Sequence, residues 1–337
     1  MHAKLEIRLM TATDDLALAP ATHPAPAPDT PRDERARIAA HLLEPQASIS
    51  PRYLYDPLGC HLFDAITELP EYYPTRTERT IAEQHRDAIA AFLVAHVGRQ
   101  APLVDLGAGS CGKAPFWFGP LGCTDYLAVD LAREHVEHAL LGLRTRHPGV
   151  RMRCVALDLV WDLPQLAAHV ERPAVLFYPG SSISNFEPEQ AVRLLREMRA
   201  VARGGALLIG VDLWKSAAEL QAAYDDAVGV TAAFNRNVLQ HINRLLGADF
   251  DPRQWQHIAH VDGERQRVEM RLAAIGAQTV RWPGGERHFA DAEYIHTENS
   301  YKWTLDGFAA CLRQAGWQAP RNWTDDHDRF ALFAATA

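Results

Sequence analysis

Two aspartates and two glycines early in the chain form the segment best suited to holding a cofactor. An apolar run ends at Asp105, and Gly107 and Gly109 then open a loop that leads toward a helix. Glycine lets a backbone turn sharply and approach a ligand, because no Cβ stands in the way. A second apolar run ends at Asp130, where a carboxylate can bind the two hydroxyls of a ribose. This spacing predicts a site for an adenosine-bearing cofactor.

The loop itself favours S-adenosylmethionine over a nucleotide phosphate. It lacks the G-x-G-x-x-G pattern, and Ala114 after Lys113 supplies no hydroxyl for the magnesium ion of a P-loop. Lys113 is therefore expected either to serve the cofactor or to pair with a protein carboxylate. In the S-adenosylmethionine interpretation, Asp130 binds the ribose, while Asp158 and Leu159 flank the adenine. A turn whose glycines serve packing alone remains the alternative.

A second group of polar residues is suited to a small zwitterion. Residues 178–186 follow an apolar strand, and ligands of open α/β sheets bind outside the carboxyl ends of the strands. Asn185 offers one acceptor and two donors there, although asparagine also often caps a helix, here one beginning near Glu187. Glu298 and Ser300 are two residues apart, so an extended segment would point both to the same side.

The order of elements predicts a cofactor-binding sheet. Five strands alternate with helices, which implies a parallel sheet with right-handed crossovers. The last 22 residues, 316–337, are expected to close it as an antiparallel hairpin, unlike the sheet of a nicotinamide dehydrogenase, which is a weaker alternative. The predicted strands are 102–107, 125–130, 151–158, 173–179 and 205–213, and the predicted helices of this part are 133–146, 187–202 and 304–315.

An insertion of about ninety residues before the last large helix is too long for a loop. It is expected to contain helices at 216–226 and 229–246, then strands in which Val268, Met270 and Leu272 alternate with more exposed residues. We predict a substrate-binding lobe from 34–85 and 216–303, and a cofactor-binding domain from 86–215 and 304–337. Residues 1–33, rich in proline and alanine, are predicted to be a disordered leader, and a helix is expected at 33–43.

Composition narrows the class of partner. The 337 residues carry a net charge of −8, which argues against nucleic acid. No apolar run approaches the roughly 20 residues that span a bilayer. Five cysteines without C-x-x-C spacing indicate reduced thiols and give no sign of a metal site. We expect a cytoplasmic monomer that acts on a small molecule, without a membrane or nucleic-acid partner.

These segments together resemble the histidine-specific Nα-methyltransferases of ergothioneine biosynthesis. The most specific pieces are Leu-Pro-Glu-Tyr-Tyr-Pro-Thr-Arg at 69–76 and Ala-Tyr-Asp-Asp at 223–226. Other matching pieces lie at 55–56, 62–63, 106–110, 180–186, 210–213, 229–235, 268–272 and 296–300, so the resemblance covers roughly residues 45–337. It departs from the family at 110–113, Ser-Cys-Gly-Lys, where many members carry a further Ser or Thr.

The resemblance implies a fold, a reaction and a set of residues. The fold is the class I, Rossmann-like α/β fold of S-adenosylmethionine-dependent methyltransferases, with a mostly parallel sheet and a smaller α+β lobe. The reaction transfers three methyl groups from S-adenosylmethionine to the α-amine of L-histidine, giving hercynine. Asn185, Tyr72 and Tyr224 would be catalytic. The residues implied for the substrate are Tyr55, Phe63, Tyr72, Gly180, Asn185, Tyr224, Met270, Glu298 and Ser300, and those for the cofactor are Tyr55, Gly107, Lys113, Asp130, Asp158 and Leu159.

The same fold acting on another amino acid, such as tryptophan or arginine, is the nearest alternative. A non-catalytic protein that senses S-adenosylmethionine is a second, although a sensor has no need of a second polar pocket. Within the enzyme, methyl transfer from a sulfonium is mainly a matter of positioning. We expect solvent to take the proton of the amine, because no strong base stands at the attacking end of the pocket. Aromatic walls would accommodate the growing ammonium.

Overall fold

The computed structural model describes residues 31–337, so most of the predicted leader lies outside the described residues. The predicted helix at 33–43 is present but begins at Pro31, so the last three residues of the predicted leader are helical. Within the described part of the chain, the helices are α1 (Pro31–Leu43), α2 (Pro57–Thr67), α3 (Tyr73–Val97), α4 (Pro115–Leu121), α5 (Arg133–Arg146), α6 (Pro188–Val201), α7 (Ala217–Tyr224), α8 (Val230–Leu246) and α9 (Leu305–Gln314). The strands are β1 (Leu103–Leu106), β2 (Asp125–Asp130), β3 (Arg151–Ala156), β4 (Val175–Tyr178), β5 (Ala206–Asp212), β6 (Trp255–Asp262), β7 (Arg267–Ala274), β8 (Gln278–Trp282), β9 (Gly285–Phe289), β10 (Tyr294–Tyr301), β11 (Gln318–Thr324) and β12 (Phe330–Thr336).

A seven-stranded sheet forms the centre of the molecule, in the order β11-β12-β5-β4-β1-β2-β3. Strands β1 to β5 pair in parallel, whereas β12 runs antiparallel to both β5 and β11. Strands β1, β4 and β5 are buried along their whole length, as expected of apolar runs covered by helices on both faces. The five parallel strands and the closing hairpin are confirmed.

The insertion between β5 and α9 forms a smaller α+β unit. Its helices α7 and α8 agree with the predicted segments, and β10, β7 and β6 form an antiparallel sheet. Helix α8 packs on this sheet and on α2 from the N-terminal part of the chain. One expectation for β7 was wrong: Glu269 is buried rather than exposed, because Arg267 and Arg271 both pair with it.

The unit and the central sheet are joined at several points. Leu213 and Trp303, at the two ends of the insertion, form a parallel bridge. Helix α3 runs for 25 residues and packs against β5 and β12, so it passes through residue 85, the predicted boundary between the lobes. The division into two lobes at the stated boundaries remains a prediction.

Two further observations concern the whole described chain. All five cysteines are free thiols. Among residues 31–337, none of the helices combines the length and the apolar character needed to cross a bilayer.

Candidate active site

The predicted cofactor residues lie at the carboxyl ends of three adjacent strands. Gly107 and Gly109, after β1, adopt φ angles of 68° and 50°, which side chains disfavour. Asp130 ends β2, and its carboxylate accepts hydrogen bonds of 2.9 Å from the backbone N–H groups of Gly109 and Ala132. It therefore fixes the shape of the glycine loop. A Cβ built on Gly109 meets nothing within 4 Å, so the outer side of this loop is open to a ligand.

Lys113 has one of the two partners expected for it, and its contact with the cofactor stays a prediction. Its ammonium forms an ion pair of 2.5 Å with Glu78 of α3, so it pairs with a protein carboxylate. The other oxygen of Glu78 accepts a 2.9 Å hydrogen bond from the N–H of Gly180, after β4. Glu78 thus joins the glycine loop to the predicted substrate segment. A Cβ on Gly180 would lie 3.1 Å from the Lys113 nitrogen, so the two predicted subsites adjoin.

Asp158 follows β3 and pairs with a residue from the N-terminal part of the described chain. Its carboxylate accepts a 2.8 Å hydrogen bond from the N–H of Val160 and lies 2.9 Å from the guanidinium of Arg52. Arg52 precedes α2, so this ion pair links a segment of the predicted substrate lobe to the predicted adenine end. Leu159 is half-buried and packs against the core of the sheet.

We predict that Asp130→Ala weakens binding of S-adenosylmethionine about 10- to 100-fold. The variant loses a charged partner of the loop and the predicted ribose contact, and hydrogen bonds to charged groups contribute about 1.5–3 kcal/mol. Calorimetric titration with S-adenosylhomocysteine measures the effect. Asp125→Ala is the matched control, because Asp125 begins the same strand and pairs with Arg151 and Arg172. Equal losses in both variants would contradict the assignment of Asp130.

A cleft lies between the sheet and the smaller unit. All nine residues that the sequence predicts for the substrate lie in its wall. They are Tyr55, Phe63, Tyr72, Gly180, Asn185, Tyr224, Met270, Glu298 and Ser300. Tyr55 was also expected at the cofactor, and the structure places it in this cleft.

Asn185 contacts Glu298 across the cleft. The Asn185 amide donates a 3.2 Å hydrogen bond to the Glu298 carboxylate, 113 positions away in the chain. The alternative role of Asn185 as a helix cap is wrong, since α6 begins after Glu187, whose capping box is formed with Gln190. Burial raises the pKa of Glu298 to about 7, with the charge of Lys302 opposing that shift. The cleft therefore holds a carboxyl group that titrates near neutral pH.

Aromatic side chains form one wall of the cleft. The ring centroids of Tyr55 and Phe63 are 5.7 Å apart, and those of Tyr72 and Tyr224 are 6.5 Å apart. Burial holds the pKa of the Tyr55, Tyr72 and Tyr224 hydroxyls well above the usual value. At neutral pH these hydroxyls are protonated, so they can donate hydrogen bonds but cannot act as bases.

A buried ionic cluster beside this wall was missed by the sequence analysis. Asp212, the last residue of β5, lies 2.7 Å from the ammonium of Lys215 and 2.9 Å from that of Lys302. The Tyr73 hydroxyl donates to the same carboxylate at 2.8 Å. Burial alone would raise the pKa of Asp212, but the two ammonium groups outweigh it and hold the pKa below the usual value. Burial lowers the pKa of Lys215 to about 8.

Other cleft residues were also missed, and some had a signal. Phe234 and Thr231 line the cleft and lie within the matching piece at 229–235, although the resemblance implied no role for either. Asp212 lies in the piece at 210–213. Arg52 and Glu78 carry no signal, because each acts through a partner more than thirty residues away.

Four features define a Rossmann-like, S-adenosylmethionine-dependent methyltransferase of class I. They are the order of the sheet, the antiparallel strand β12, the glycine loop after β1 and the aspartate that ends β2. The profile of one family, described as "Histidine-specific methyltransferase, SAM-dependent", matches residues 34–337. The chain belongs to this family.

Individual relatives agree with the profile. The chain is 36% identical over 308 residues to a histidine N-alpha-methyltransferase of Mycolicibacterium smegmatis, covering 89% of this chain and 94% of that protein. Identity is 35% to the protein of the same name from Mycobacterium tuberculosis, with the same shares covered. An L-tryptophan methyltransferase of Psilocybe serbica is 25% identical, covering 90% of this chain and 92% of that protein.

Proposed function

We propose that this enzyme transfers three methyl groups from S-adenosylmethionine to the α-amine of L-histidine, giving hercynine for ergothioneine biosynthesis. The observation that carries the proposal is the cleft, in which all nine residues implied for a histidine substrate meet and in which Gly180 adjoins Lys113. The family and the two mycobacterial relatives support the choice of histidine.

Within this proposal the two ends of the cleft have different tasks. Asn185, Tyr72 and Tyr224 hold the amino acid moiety, while Glu298 and Ser300 hydrogen-bond the imidazole and Met270 packs beside it. Gly180 leaves room for the amino acid next to Lys113, and Tyr55 and Phe63 complete the wall. When bound at the glycine loop, S-adenosylmethionine supplies an electrophilic methyl group on a sulfonium.

The main contribution of the protein is to position the attacking amine, not to remove its proton. The attacking amine must be neutral, and burial favours the neutral form over the ammonium. The neighbouring tyrosine hydroxyls are protonated, Asp212 is committed to two ammonium groups, and Glu298 is assigned to the imidazole, so none of them serves the amine as a base. We infer that solvent takes the proton while Asn185 and the tyrosines orient the nitrogen. The aromatic wall accommodates the cation that forms at the third transfer.

The decisive experiment is incubation with methyl-labelled S-adenosylmethionine and each amino acid in turn, with methyl groups counted by mass spectrometry. We expect histidine alone to gain up to three methyl groups, all on the α-nitrogen. Trimethylation of tryptophan instead would favour the function named for the Psilocybe relative. Binding of S-adenosylmethionine without transfer to any amino acid would favour the sensor alternative.

We further propose that the enzyme works in the cytoplasm as a monomer, with histidine and not nucleic acid as its partner. The five free thiols and the net charge of −8 support this proposal. Sedimentation of the purified enzyme, with and without histidine, tests the oligomeric state.

A further inference from the structure

Lys302 lies directly behind two of the cleft-lining hydroxyls. Its side chain is fully buried, with 0% exposed, and its ammonium has three hydrogens to donate. The nitrogen lies 2.8 Å from the Tyr224 hydroxyl, 2.6 Å from the Ser300 hydroxyl and 2.9 Å from Asp212. Each ammonium hydrogen therefore has one acceptor, and both hydroxyl oxygens receive a hydrogen bond from the same cation.

The two hydroxyls also bond to each other. The oxygens of Tyr224 and Ser300 are 2.7 Å apart, so one hydroxyl donates its hydrogen to the other. The second hydroxyl keeps its hydrogen, and among residues 31–337 neither hydroxyl makes a further hydrogen bond. Because both residues line the cleft, that hydrogen is directed to whatever the cleft holds.

We propose that Lys302 is a positioning residue that makes the Tyr224–Ser300 pair a hydrogen donor, so that the cleft takes histidine with an uncharged imidazole ring. The proposal rests on the proposed function and specifies the form of its substrate. A neutral ring has one N–H, which Glu298 accepts, and one lone pair, to which the Ser300 hydroxyl donates while Tyr224 donates to Ser300. An imidazolium would present a second N–H to a donor and a positive charge to Lys302.

The charges around Lys302 support this polarity. Asp212 approaches from β5, with Lys215 on the same carboxylate, and Glu298 lies on the same strand as Ser300. Lys215 contacts Asp212 and neither hydroxyl, so the positive charge next to the hydroxyls is that of Lys302. The same charge disfavours arginine, whose side chain is always cationic. The titratable groups facing Lys302 are Asp212, Lys215, Tyr72, Tyr224 and Glu298.

The direct test uses the unmodified enzyme. Histidine labelled with ¹⁵N in the ring is bound together with S-adenosylhomocysteine at pH 5.5, where most of the free amino acid is imidazolium. We expect two widely separated nitrogen resonances, one from a protonated nitrogen and one from an unprotonated nitrogen. Two protonated ring nitrogens in the complex would overturn the proposal.

A kinetic test isolates the contribution of Lys302. The probes are histidine and 1,2,4-triazolylalanine, whose ring stays uncharged from pH 5.5 to 7.5. Any titration of Glu298 or of the α-amine affects both probes, so the ratio of their kcat/KM values reports the ring. In the unmodified enzyme, the ratio of histidine to triazolylalanine should fall about 10-fold between pH 7.5 and 5.5, following the ring pKa of about 6.5.

Lys302→Met should flatten this change, because the freed hydroxyls can turn and accept from an imidazolium. Asp212 keeps Lys215 and Tyr73 as partners in that variant, which helps the protein to fold. Lys215→Gln is the matched control, since Lys215 contacts Asp212 but neither cleft hydroxyl, and it should retain the 10-fold change. An unaltered change in Lys302→Met would refute the role of Lys302, whereas failure to methylate histidine at all would refute the proposed function.

Discussion

Asn185→Ala is expected to lower turnover of histidine at least about 100-fold while S-adenosylmethionine still binds. The amide is one of the groups proposed to orient the attacking nitrogen, and a displacement of about 1 Å can cost about 100-fold in rate. Its bond to Glu298 is also lost, so the opposite wall loses a partner. Turnover is measured with labelled methyl donor, and cofactor affinity by calorimetry.

The prediction for Asn185 requires that turnover is lost while cofactor binding is retained. Asn185 lies in the cleft wall and makes no hydrogen bond to the glycine loop, so the cofactor subsite should be unchanged. Loss of S-adenosylhomocysteine binding in a folded variant, as judged by its thermal unfolding, would show that Asn185 supports the cofactor instead.

Glu298→Ala is expected to raise the KM for histidine about 10- to 150-fold and to leave the KM for S-adenosylmethionine nearly unchanged. The variant removes the acceptor proposed for the ring N–H, and a hydrogen bond to a charged group contributes about 1.5–3 kcal/mol. Steady-state kinetics with each substrate varied in turn gives both constants. A similar rise in the two constants would count against Glu298 as the residue that recognises the side chain of the substrate.

Asn299→Ala provides a control from the same strand. Asn299 is adjacent to Glu298 but bonds to His296 and Glu187, away from the cleft. Its replacement should disturb β10 locally without changing the KM for histidine. Glu298→Gln adds a second comparison. The raised pKa of Glu298 makes its carboxylate available only as the pH rises through about 7, and glutamine should abolish that dependence.

The sequence predicted the central sheet well because buried parallel strands are recognisable as short apolar runs. The strand at 205–213 and the hairpin that ends the chain lie where expected, and together they set the order of the sheet. The smaller unit was harder to predict. Glu269 fits a pattern of exposed alternation, but its burial depends on two arginines that satisfy its charge. Periodicity describes one strand and carries no information about such compensation.

The candidate site, like the fold, could be predicted only in part. Residues of the matching pieces could be assigned to a cleft because the resemblance linked them. The ion pair between Asp212 and Lys302 could not, because it joins positions ninety residues apart and leaves no pattern in either segment. Glu78 was missed for a similar reason, since a glutamate within a long helix resembles any solvated residue until its partners Lys113 and Gly180 are seen.

The bonds that Asp212 makes to Lys302 and Tyr73 also join the end of β5 to the end of β10 and to the start of α3. Together with the Leu213–Trp303 bridge, they connect parts of the chain on different sides of the cleft. To methylate one nitrogen three times, the enzyme must replace S-adenosylhomocysteine with S-adenosylmethionine twice, once after each of the first two transfers. We expect these contacts to keep the partly methylated amino acid in the same orientation throughout. Few mono- and dimethylated products should therefore be released.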